Sequence, residues 1–216
     1  MKKFNHVPVE LKSDLTTKEI NGKRYYVTEE GNIFPSVTTV TGWEKQKFFA
    51  EWRRNNPEES QRVLRRGTKF HSIIESYLKN EEVIEEDYAP GEFSLYSQLK
   101  KELNNIDNIH ALEKSLQSSM MGLAGRVDCI AEFAGKLSVI DFKTCSSQKP
   151  KSSIKDYFMQ ATAYAIMFQE QTGIPVKNIV ILMSCEDGST TVHQENPINY
   201  TKKLKETIES FMINNS

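Results

Sequence analysis

The stretch that decides the fold is LAGRVDCIAEFAGKLSVIDFKT, residues 123–144. Two apolar runs rich in β-branched residues are joined there by the small pair Ala134 and Gly135, which is typical of two strands linked by a tight turn. Apolar side chains are expected on both faces of this hairpin: Val127, Cys129, Ala131, Ile140 and Phe142 on one, and Ile130, Leu137 and Val139 on the other. Strands that are apolar on both faces are covered on both faces, so the sequence predicts an α/β fold with a central mixed β-sheet between helices.

The register of this hairpin would bring two acidic side chains together. If the turn consists of those two small residues, Phe133 faces Lys136 and Asp128 faces Asp141. Lys143 then shares a face with Asp141, because side chains alternate along a strand. Facing carboxylates repel, whereas a divalent cation between them would turn the repulsion into binding. The alternative is an exposed ion pair, but such pairs do not normally lie in strands this apolar.

Composition sets the broad class of protein. The chain has 216 residues, of which 38% are hydrophobic and 26% charged, and we expect a single domain over residues 1–216 with a loose arm at residues 1–20. A net charge of −1 means that any nucleic-acid surface must be local. Three widely spaced cysteines argue against a disulfide framework and against an iron–sulfur site, and favour a reducing compartment. Without a signal sequence or a run of about 18 apolar residues, we predict a cytoplasmic protein.

The first half of the chain mixes strand and helix patterns. Residues 33–40 (IFPSVTTV) are typical of a strand, and the aromatic residues between Trp43 and Trp52 recur at helical spacing. We interpret that aromatic stripe as core rather than as a base-stacking platform, because a stripe at this spacing usually packs inward.

Residues 58–80 indicate one or two helices, with Gly67 as a break and Thr68 as an N-cap of the second. His71 and Glu75 share one side of that helix. A lone histidine beside an apolar face is more often structural than functional. A basic cluster precedes His71 and could be a solvated face or could hold phosphates; its members are Arg62, Arg65, Arg66 and Lys69.

The residues around the hairpin complete the candidate site. Glu113 lies in an extended segment leading to the hairpin, and a long helix from about residue 154 to 171 places Gln160 and Tyr164 four apart. Two carboxylates, an imidazole and an ammonium group suit metal-assisted hydrolysis of a phosphodiester. Oxygen-rich ligands favour Mg²⁺ or Mn²⁺, and the imidazole tilts the choice toward Mn²⁺.

These motifs resemble the PD-(D/E)xK nuclease superfamily in its RecB-like branch. The resemblance rests on GT-x2-H-x3-E at 67–75, GRVD at 125–128, DFK at 141–143 and Q-x3-Y at 160–164, which together span core motifs over residues 60–170. PSVTTV at 35–40, followed by a Trp-rich helix, is similar to the mitochondrial genome maintenance exonuclease family with its phage and bacterial relatives. Val127 stands where the superfamily name has proline.

The resemblance implies a restriction-endonuclease-like core and a role for each matched residue. His71, Asp128, Asp141 and the Phe142 carbonyl would ligate metal, with Glu113 as a further candidate. Lys143 would be the catalytic lysine, and Gln160 and Tyr164 would support the site or contact the scissile strand. The nucleic-acid contacts would come from basic residues: Arg62, Arg65, Arg66, Lys69, Arg126, Lys149 and Lys151. Relatives with an iron–sulfur cluster need four grouped cysteines, which this sequence lacks.

The leading hypothesis is therefore a Mg²⁺- or Mn²⁺-dependent DNA exonuclease that prefers single-stranded or flap ends. A λ-type double-strand 5′ exonuclease and an endonuclease of the same superfamily are the nearest alternatives. A non-catalytic nucleic-acid-binding module is the alternative from another class. The resemblance further implies a role in DNA replication, repair or recombination, in a bacterial cytosol or a phage-infected host.

Overall fold

The computed structural model describes residues 2–12 and 15–215. The strands are β1 (Thr16–Ile20), β2 (Lys23–Val27), β3 (Ile33–Pro35), β4 (Ile106–Ser118), β5 (Leu123–Phe133), β6 (Lys136–Cys145), β7 (Asn178–Cys185) and β8 (Thr190–Glu195). The α-helices are α1 (Val37–Thr41), α2 (Gln46–Asn55), α3 (Pro57–Leu78), α4 (Pro90–Leu103), α5 (Lys155–Thr172) and α6 (Ile198–Asn215). Short 3₁₀ turns occur at Trp43–Lys45, Glu85–Asp87 and Lys151–Ser153.

The central sheet has the strand order β4-β5-β6-β7-β8. β6 and β7 are parallel and the other neighbouring strands are antiparallel, so the predicted mixed sheet is confirmed. The hairpin is also confirmed, because Phe133 pairs with Lys136 and the pairing continues in step to Cys129 and Ile140. Both turn residues have positive φ, 49° at Ala134 and 78° at Gly135, as the favoured two-residue hairpin turn requires.

Helices cover both faces of this sheet, as predicted. α3 and α4 pack on one face through a buried cluster that includes Phe70 and Leu99. α1, α5 and α6 pack on the other face through a cluster that includes Val40, Phe168 and Phe211. The apolar character of the hairpin on both sides therefore has a direct cause in this two-sided packing.

The predicted division of side chains between the two faces fails at one position. Val127 and Cys129 are two residues apart in β5 and should share a face, yet they belong to opposite clusters. Between them lies Asp128, which is at the level of Glu113 in the neighbouring strand β4. The backbone of Glu113 has a φ of 51°. The alternation of side chains along β5 is therefore interrupted beside Asp128, and Val127 lies on the α5 side of the sheet.

The strand expected over residues 33–40 is wrong in its second half. β3 ends at Pro35, and the β-branched run that follows forms α1. Ser36 caps this helix, because its side-chain oxygen accepts a hydrogen bond from Thr39 N at 3.0 Å. Val37 and Val40 lie three apart and are both fully buried, so tertiary packing overrides strand propensity here.

The aromatic stripe after Trp43 is not core. Trp43 packs edge-on against Phe211, with ring centroids 6.5 Å apart, but the aromatic residues of the helix that follows are not buried. All of α2 lies within the described residues, and none of its side chains is buried. The interpretation of this stripe as core is therefore wrong for Phe48 and Phe49.

The region 58–80 is one continuous helix rather than two. Gly67 does not break α3, and Thr68 is not an N-cap, because its hydroxyl donates to Leu64 O at 3.0 Å within the helix. The 22-residue α3 carries His71 as part of one rigid element.

The loose arm expected at residues 1–20 is tied down wherever the structure describes it. Phe4 is buried and its backbone N–H donates to Asn80 Oδ1 at 2.7 Å, while Val7 N donates to Ile109 O at 2.8 Å. Met1, Ser13 and Asp14 of the expected arm lie outside the described residues.

The cysteines contradict the prediction that no disulfide forms. Cys145 and Cys185 are bonded to each other across the parallel ends of β6 and β7, and Cys129 is free and buried. Wide spacing in sequence gave no sign of this pair, because the parallel pairing places the two strand ends side by side. The cysteine pattern therefore gives no support to a reducing compartment.

None of the helices within residues 2–12 and 15–215 is long and apolar enough to cross a lipid bilayer.

Candidate active site

An open cavity of about 620 Å³ lies between α3 and the β4–β6 side of the sheet. Each of five elements contributes a charged or titratable side chain to its walls: Arg24 from β2, His71 from α3, Glu113 from β4, Arg126 from β5 and Lys143 from β6. The cavity therefore brings together groups that are up to about 120 residues apart in sequence.

Three candidate metal ligands converge beside this cavity, and two of them, His71 and Glu113, line it. His71 Nδ1 lies 3.7 Å from Glu113 Oε1 and 3.6 Å from Asp128 Oδ2. One donor atom from each of the three residues lies within 4.8 Å of the others. Glu113, which the sequence indicated least firmly, is a full member of this group. Among the described residues, Asp141 is not part of it.

The backbone of β6 orients Asp128. Strand pairing between β5 and β6 ends at Cys129 and Ile140, and the next position along is Asp128 beside Asp141. There the Asp128 carboxylate replaces a strand carbonyl as acceptor, because Phe142 N donates to Asp128 Oδ2 at 2.9 Å. The two aspartates are adjacent as predicted, and the negative charge of Asp128 adds to the rise in the pKa of Asp141.

Asp141 and Lys143 form a buried ion pair. Lys143 Nζ lies 2.6 Å from both carboxylate oxygens and donates its hydrogen bond to Oδ1. Oδ2 is buried and receives no hydrogen bond from the described residues. Burial raises the pKa of Asp141 to about 6. Burial disfavours the charged form of Lys143, but the negative charges of Asp141 and Asp128 outweigh it and raise the lysine pKa, so both groups are charged at neutral pH.

The Lys143 ammonium group also contacts an aromatic ring. Lys143 Nζ lies 5.1 Å from the centroid of the Tyr157 ring, at the start of α5. This cation–π contact and the bond to Asp141 hold the ammonium group in one place. The sequence gave no reason to single out Tyr157, because its nearness to Lys143 depends on how α5 packs against β6.

Gln160 and Tyr164 are buried and are not among the residues that line the cavity. Burial raises the pKa of Tyr164 well above its ordinary value, with smaller contributions from the charges of Asp128 and Asp141. The Tyr164 hydroxyl would lie 2.7 Å from a Cβ atom added to Gly125, so glycine is needed there for the ring to reach this position.

The pKa of His71 is raised. Burial favours the neutral imidazole, but the negative charge of Asp128 and the nearby Glu113 carboxylate outweigh that effect and raise the pKa. The His71 imidazole is therefore protonated more easily than that of a free histidine.

The predicted arginine cluster faces away from this cavity. Arg62, Arg65 and Arg66 line a separate cavity between α3 and α4. Arg62 and Arg66 form ion pairs with Glu186, and Arg65 Nε lies 3.1 Å from Glu92 Oε1. Hydrogen bonding from Arg62 lowers the pKa of Glu186 to about 2. The structure therefore does not bring these arginines together with His71, and acidic partners already balance their charges.

The remaining predicted basic residues divide into two groups. Arg126 lines the cavity and holds Glu113 in place, because its Nε lies 2.8 Å from Glu113 Oε2 and donates to Glu113 O at 3.0 Å. Lys69 and Lys149 are exposed, and Lys151 pairs with Glu195. Arg24 also lines the cavity, and sequence reasoning missed it because β2 belongs to the small β1–β3 sheet.

The segment that contains the central hairpin, its acidic residues and Lys143 matches a known protein family. Residues 93–210 match the PD-(D/E)XK nuclease superfamily, and the chain belongs to that superfamily. The resemblance seen in the sequence is thereby confirmed.

Two curated relatives extend the match. The chain is 31% identical over 177 residues to the human mitochondrial genome maintenance exonuclease 1, covering 73% of this chain and 51% of that protein. It is 30% identical over 176 residues to the mouse protein of the same name, covering 73% and 52%. The chain thus spans about half the length of the curated relatives it matches.

A solved structure from Eubacterium rectale, provisionally assigned as an exonuclease, is also similar to this chain. It aligns with a TM-score of 0.47 at 11% identity, covering 69% of this chain and 65% of that one.

Proposed function

We propose that this chain is a metal-dependent DNA exonuclease that hydrolyses phosphodiester bonds at single-stranded or flap ends. One observation carries the proposal: His71, Glu113 and Asp128 converge beside the Lys143–Asp141 pair in an open cavity of a chain that belongs to a nuclease superfamily. The similarity to relatives named as exonucleases supports action at ends.

The donor set fits a divalent cation. His71, Glu113 and Asp128 would hold it, because two carboxylates and one imidazole suit Mg²⁺ or Mn²⁺. Asp141 Oδ2, buried without a hydrogen-bond donor among the described residues, offers a further oxygen, and the Phe142 carbonyl remains a predicted ligand. When bound, such a cation supplies Lewis-acid stabilisation and a more acidic water molecule.

The protein's own groups position the reacting phosphate. Lys143 is charged at neutral pH and is fixed by Asp141 and Tyr157, so it can stabilise the charge that builds on phosphate oxygens in the transition state. Arg126 fixes Glu113, and the buried Tyr164 packs beneath the strand that carries Asp128. Because each functional group has a partner that limits its motion, little reorganisation is needed during the reaction.

The substrate would enter along the open side of the cavity. Arg24 and Arg126 line it and can contact phosphates, and the exposed Lys69 and Lys149 are further candidates. Arg62, Arg65 and Arg66 could take part only after release from their acidic partners, so we give them a smaller role.

Incubation of the protein with end-labelled DNA tests the proposal. Linear single strands, flaps, duplexes and circular single strands would each be incubated with Mg²⁺, Mn²⁺ or EDTA. We expect metal-dependent loss of linear single strands and flaps, with circles spared. Preferential loss of duplex ends would instead identify a λ-type enzyme, and cleavage of circles an endonuclease. Binding without cleavage in every metal would identify a non-catalytic module.

Lys143→Ala links cleavage to the site. We expect cleavage to fall by about 10²-fold or more, because a transition-state charge partner is lost, while DNA binding survives. Lys203→Ala is the matched control, since Lys203 of α6 is exposed and does not line the cavity. Equal activity of Lys143→Ala and the wild type would contradict the proposed role.

A place in DNA replication, repair or recombination stays a prediction from the family resemblance. The cytoplasmic location also stays a prediction, and the curated relatives are named as mitochondrial proteins.

A further inference from the structure

Two phenylalanines of α2 are exposed to solvent next to each other. Phe48 is 67% exposed and Phe49 is 44% exposed, and their ring centroids lie 5.5 Å apart in an edge-to-face arrangement. Leaving such rings in water forgoes the free energy that burial would provide. Since all of α2 is described and none of its side chains is buried, packing against the rest of the chain does not explain these rings.

α2 lies in the chain between two segments that are in contact with the active site. The turn before α2 is anchored beside the start of α5, where Lys45 Nζ lies 3.1 Å from Asp156 Oδ1. The next residue of α5 is Tyr157, whose ring supports Lys143. At its other end α2 leads into α3, whose Leu64 is 64% exposed and lines the cavity. α2 therefore joins α3, which lines the cavity, to a turn anchored at the start of α5, which carries the ring beneath Lys143.

The charge around the rings suits a polyanion. Residues 43–56 contain four basic residues and two acidic ones, in a chain whose net charge is −1. The basic residues are Lys45, Lys47, Arg53 and Arg54. A second copy of this chain is a less suitable partner for the basic residues of this helix, because its net charge is only −1. Exposed aromatic rings among basic side chains are the combination with which proteins bind single-stranded nucleic acid.

We propose that Phe48 and Phe49 form a stacking surface for unpaired bases of the DNA strand whose phosphate lies in the cavity. The inference rests on the proposed nuclease function and adds a source of substrate specificity to it. Duplex DNA keeps its base faces stacked inside the helix and cannot present them to these rings. The two phenylalanines would therefore favour single strands over duplexes, whereas the lysines and arginines would bind both.

Binding to a DNA strand with and without bases tests the proposal. The parent protein would carry Lys143→Ala to prevent cleavage. Its Kd would be measured by fluorescence anisotropy for an oligothymidylate of about 20 nucleotides and for an abasic oligomer of the same length. We expect Phe48→Ala with Phe49→Ala to weaken oligothymidylate binding about tenfold or more and abasic binding less than about twofold.

Two further variants separate stacking from a general loss of apolar surface. Phe48→Trp with Phe49→Trp should keep or strengthen oligothymidylate binding, since both replacements have aromatic faces. Ile198→Ala with Ile213→Ala removes a comparable pair of exposed apolar side chains elsewhere and should leave both Kd values unchanged. Because none of these side chains is buried, all variants should keep the parent's Tm.

Several results would overturn the inference. Equal weakening of oligothymidylate and abasic binding, or no weakening of either, would exclude base stacking. A parent dimer that dissociates when both phenylalanines become alanine, seen by sedimentation, would show that the rings bind a second copy instead. If the wild type cleaves DNA while the phenylalanines have no effect on binding, this inference fails and the proposed function stands. If the wild type neither cleaves nor binds any DNA, both fail.

Discussion

Replacing Gly125 by alanine should destabilise the protein through a single contact. The added Cβ would lie 2.7 Å from the Tyr164 hydroxyl oxygen, 2.9 Å from its Cε1 and 3.2 Å from its Cζ. Real Cβ atoms are essentially never found within 3.0 Å of another atom, and the tyrosine ring is buried in a close-packed interior, so a shift of the ring is costly. Overpacking of this kind costs about 1–3 kcal/mol. For a chain of 216 residues, that corresponds to a Tm lower by about 2–12 °C.

Thermal unfolding followed by circular dichroism measures this effect, and Gly67→Ala is the matched control. Gly67 lies inside α3, and no described heavy atom lies within 4 Å of its added Cβ beyond the helix's own backbone. Alanine there should raise the free energy of unfolding by up to about 1 kcal/mol. Combining Gly125→Ala with Tyr164→Phe removes the shortest contact and should restore part of the lost Tm. A Tm of Gly125→Ala equal to or above that of the wild type would refute the reasoning.

Three other predictions concern the acidic groups and the disulfide. Asp128→Asn should leave the Tm of the metal-free protein equal or higher, because the amide oxygen can still accept the Phe142 N–H and the repulsion between carboxylates is reduced. Asp128→Ala should lower the free energy of unfolding by about 1–3 kcal/mol, because it leaves that N–H unpaired. A denaturant titration would measure this loss. Replacing Cys145 and Cys185 by alanine should lower the free energy of unfolding by about 4 kcal/mol, since the disulfide closes a loop with a sequence separation of 40. An unchanged midpoint of urea unfolding would contradict this. The pKa of Glu186 is lowered from 4.5 to about 2, so its ion pairs stabilise the protein fully above pH 4.5, and this contribution is lost as the pH falls through about 2. The difference in Tm between the wild type and Glu186→Gln should therefore narrow over that range. A constant difference would show that the arginine pairs are not the cause of the lowered pKa.

The hairpin could be predicted from the sequence because its determinants are local. Ala134 and Gly135 accept the positive φ that a two-residue turn requires, and alternation then fixes which residues face each other. The same counting placed Asp128 beside Asp141 and Lys143 on the Asp141 side. The identity of the superfamily followed from the order of such short motifs along the chain.

The features that sequence reasoning missed depend on contacts between distant elements. The β-branched run at 37–40 became helical because a serine caps it and its valines pack on the core. The stripe on α2 has the period of a core helix, but within residues 2–12 and 15–215 no element buries its rings. Cys145 and Cys185 meet only because β6 and β7 are parallel neighbours. The local sequence pattern therefore predicted whether a segment is a helix or a strand more reliably than it predicted which other segments pack against it.

The acidic residues of the site form a row across three adjacent strands, and this row indicates where a cation is needed. Glu113 in β4, Asp128 in β5 and Asp141 in β6 lie at one level, as the flanking pairs show. The outer two have strong cationic partners, Arg126 at 2.8 Å and Lys143 at 2.6 Å. The central Asp128 has an imidazole nitrogen at 3.6 Å and one backbone N–H. Three carboxylates in a row repel one another, and the least compensated of them is at the centre. A divalent cation would relieve this repulsion most at Asp128, within reach of His71 and Glu113, so the charge balance and the donor geometry indicate the same position independently.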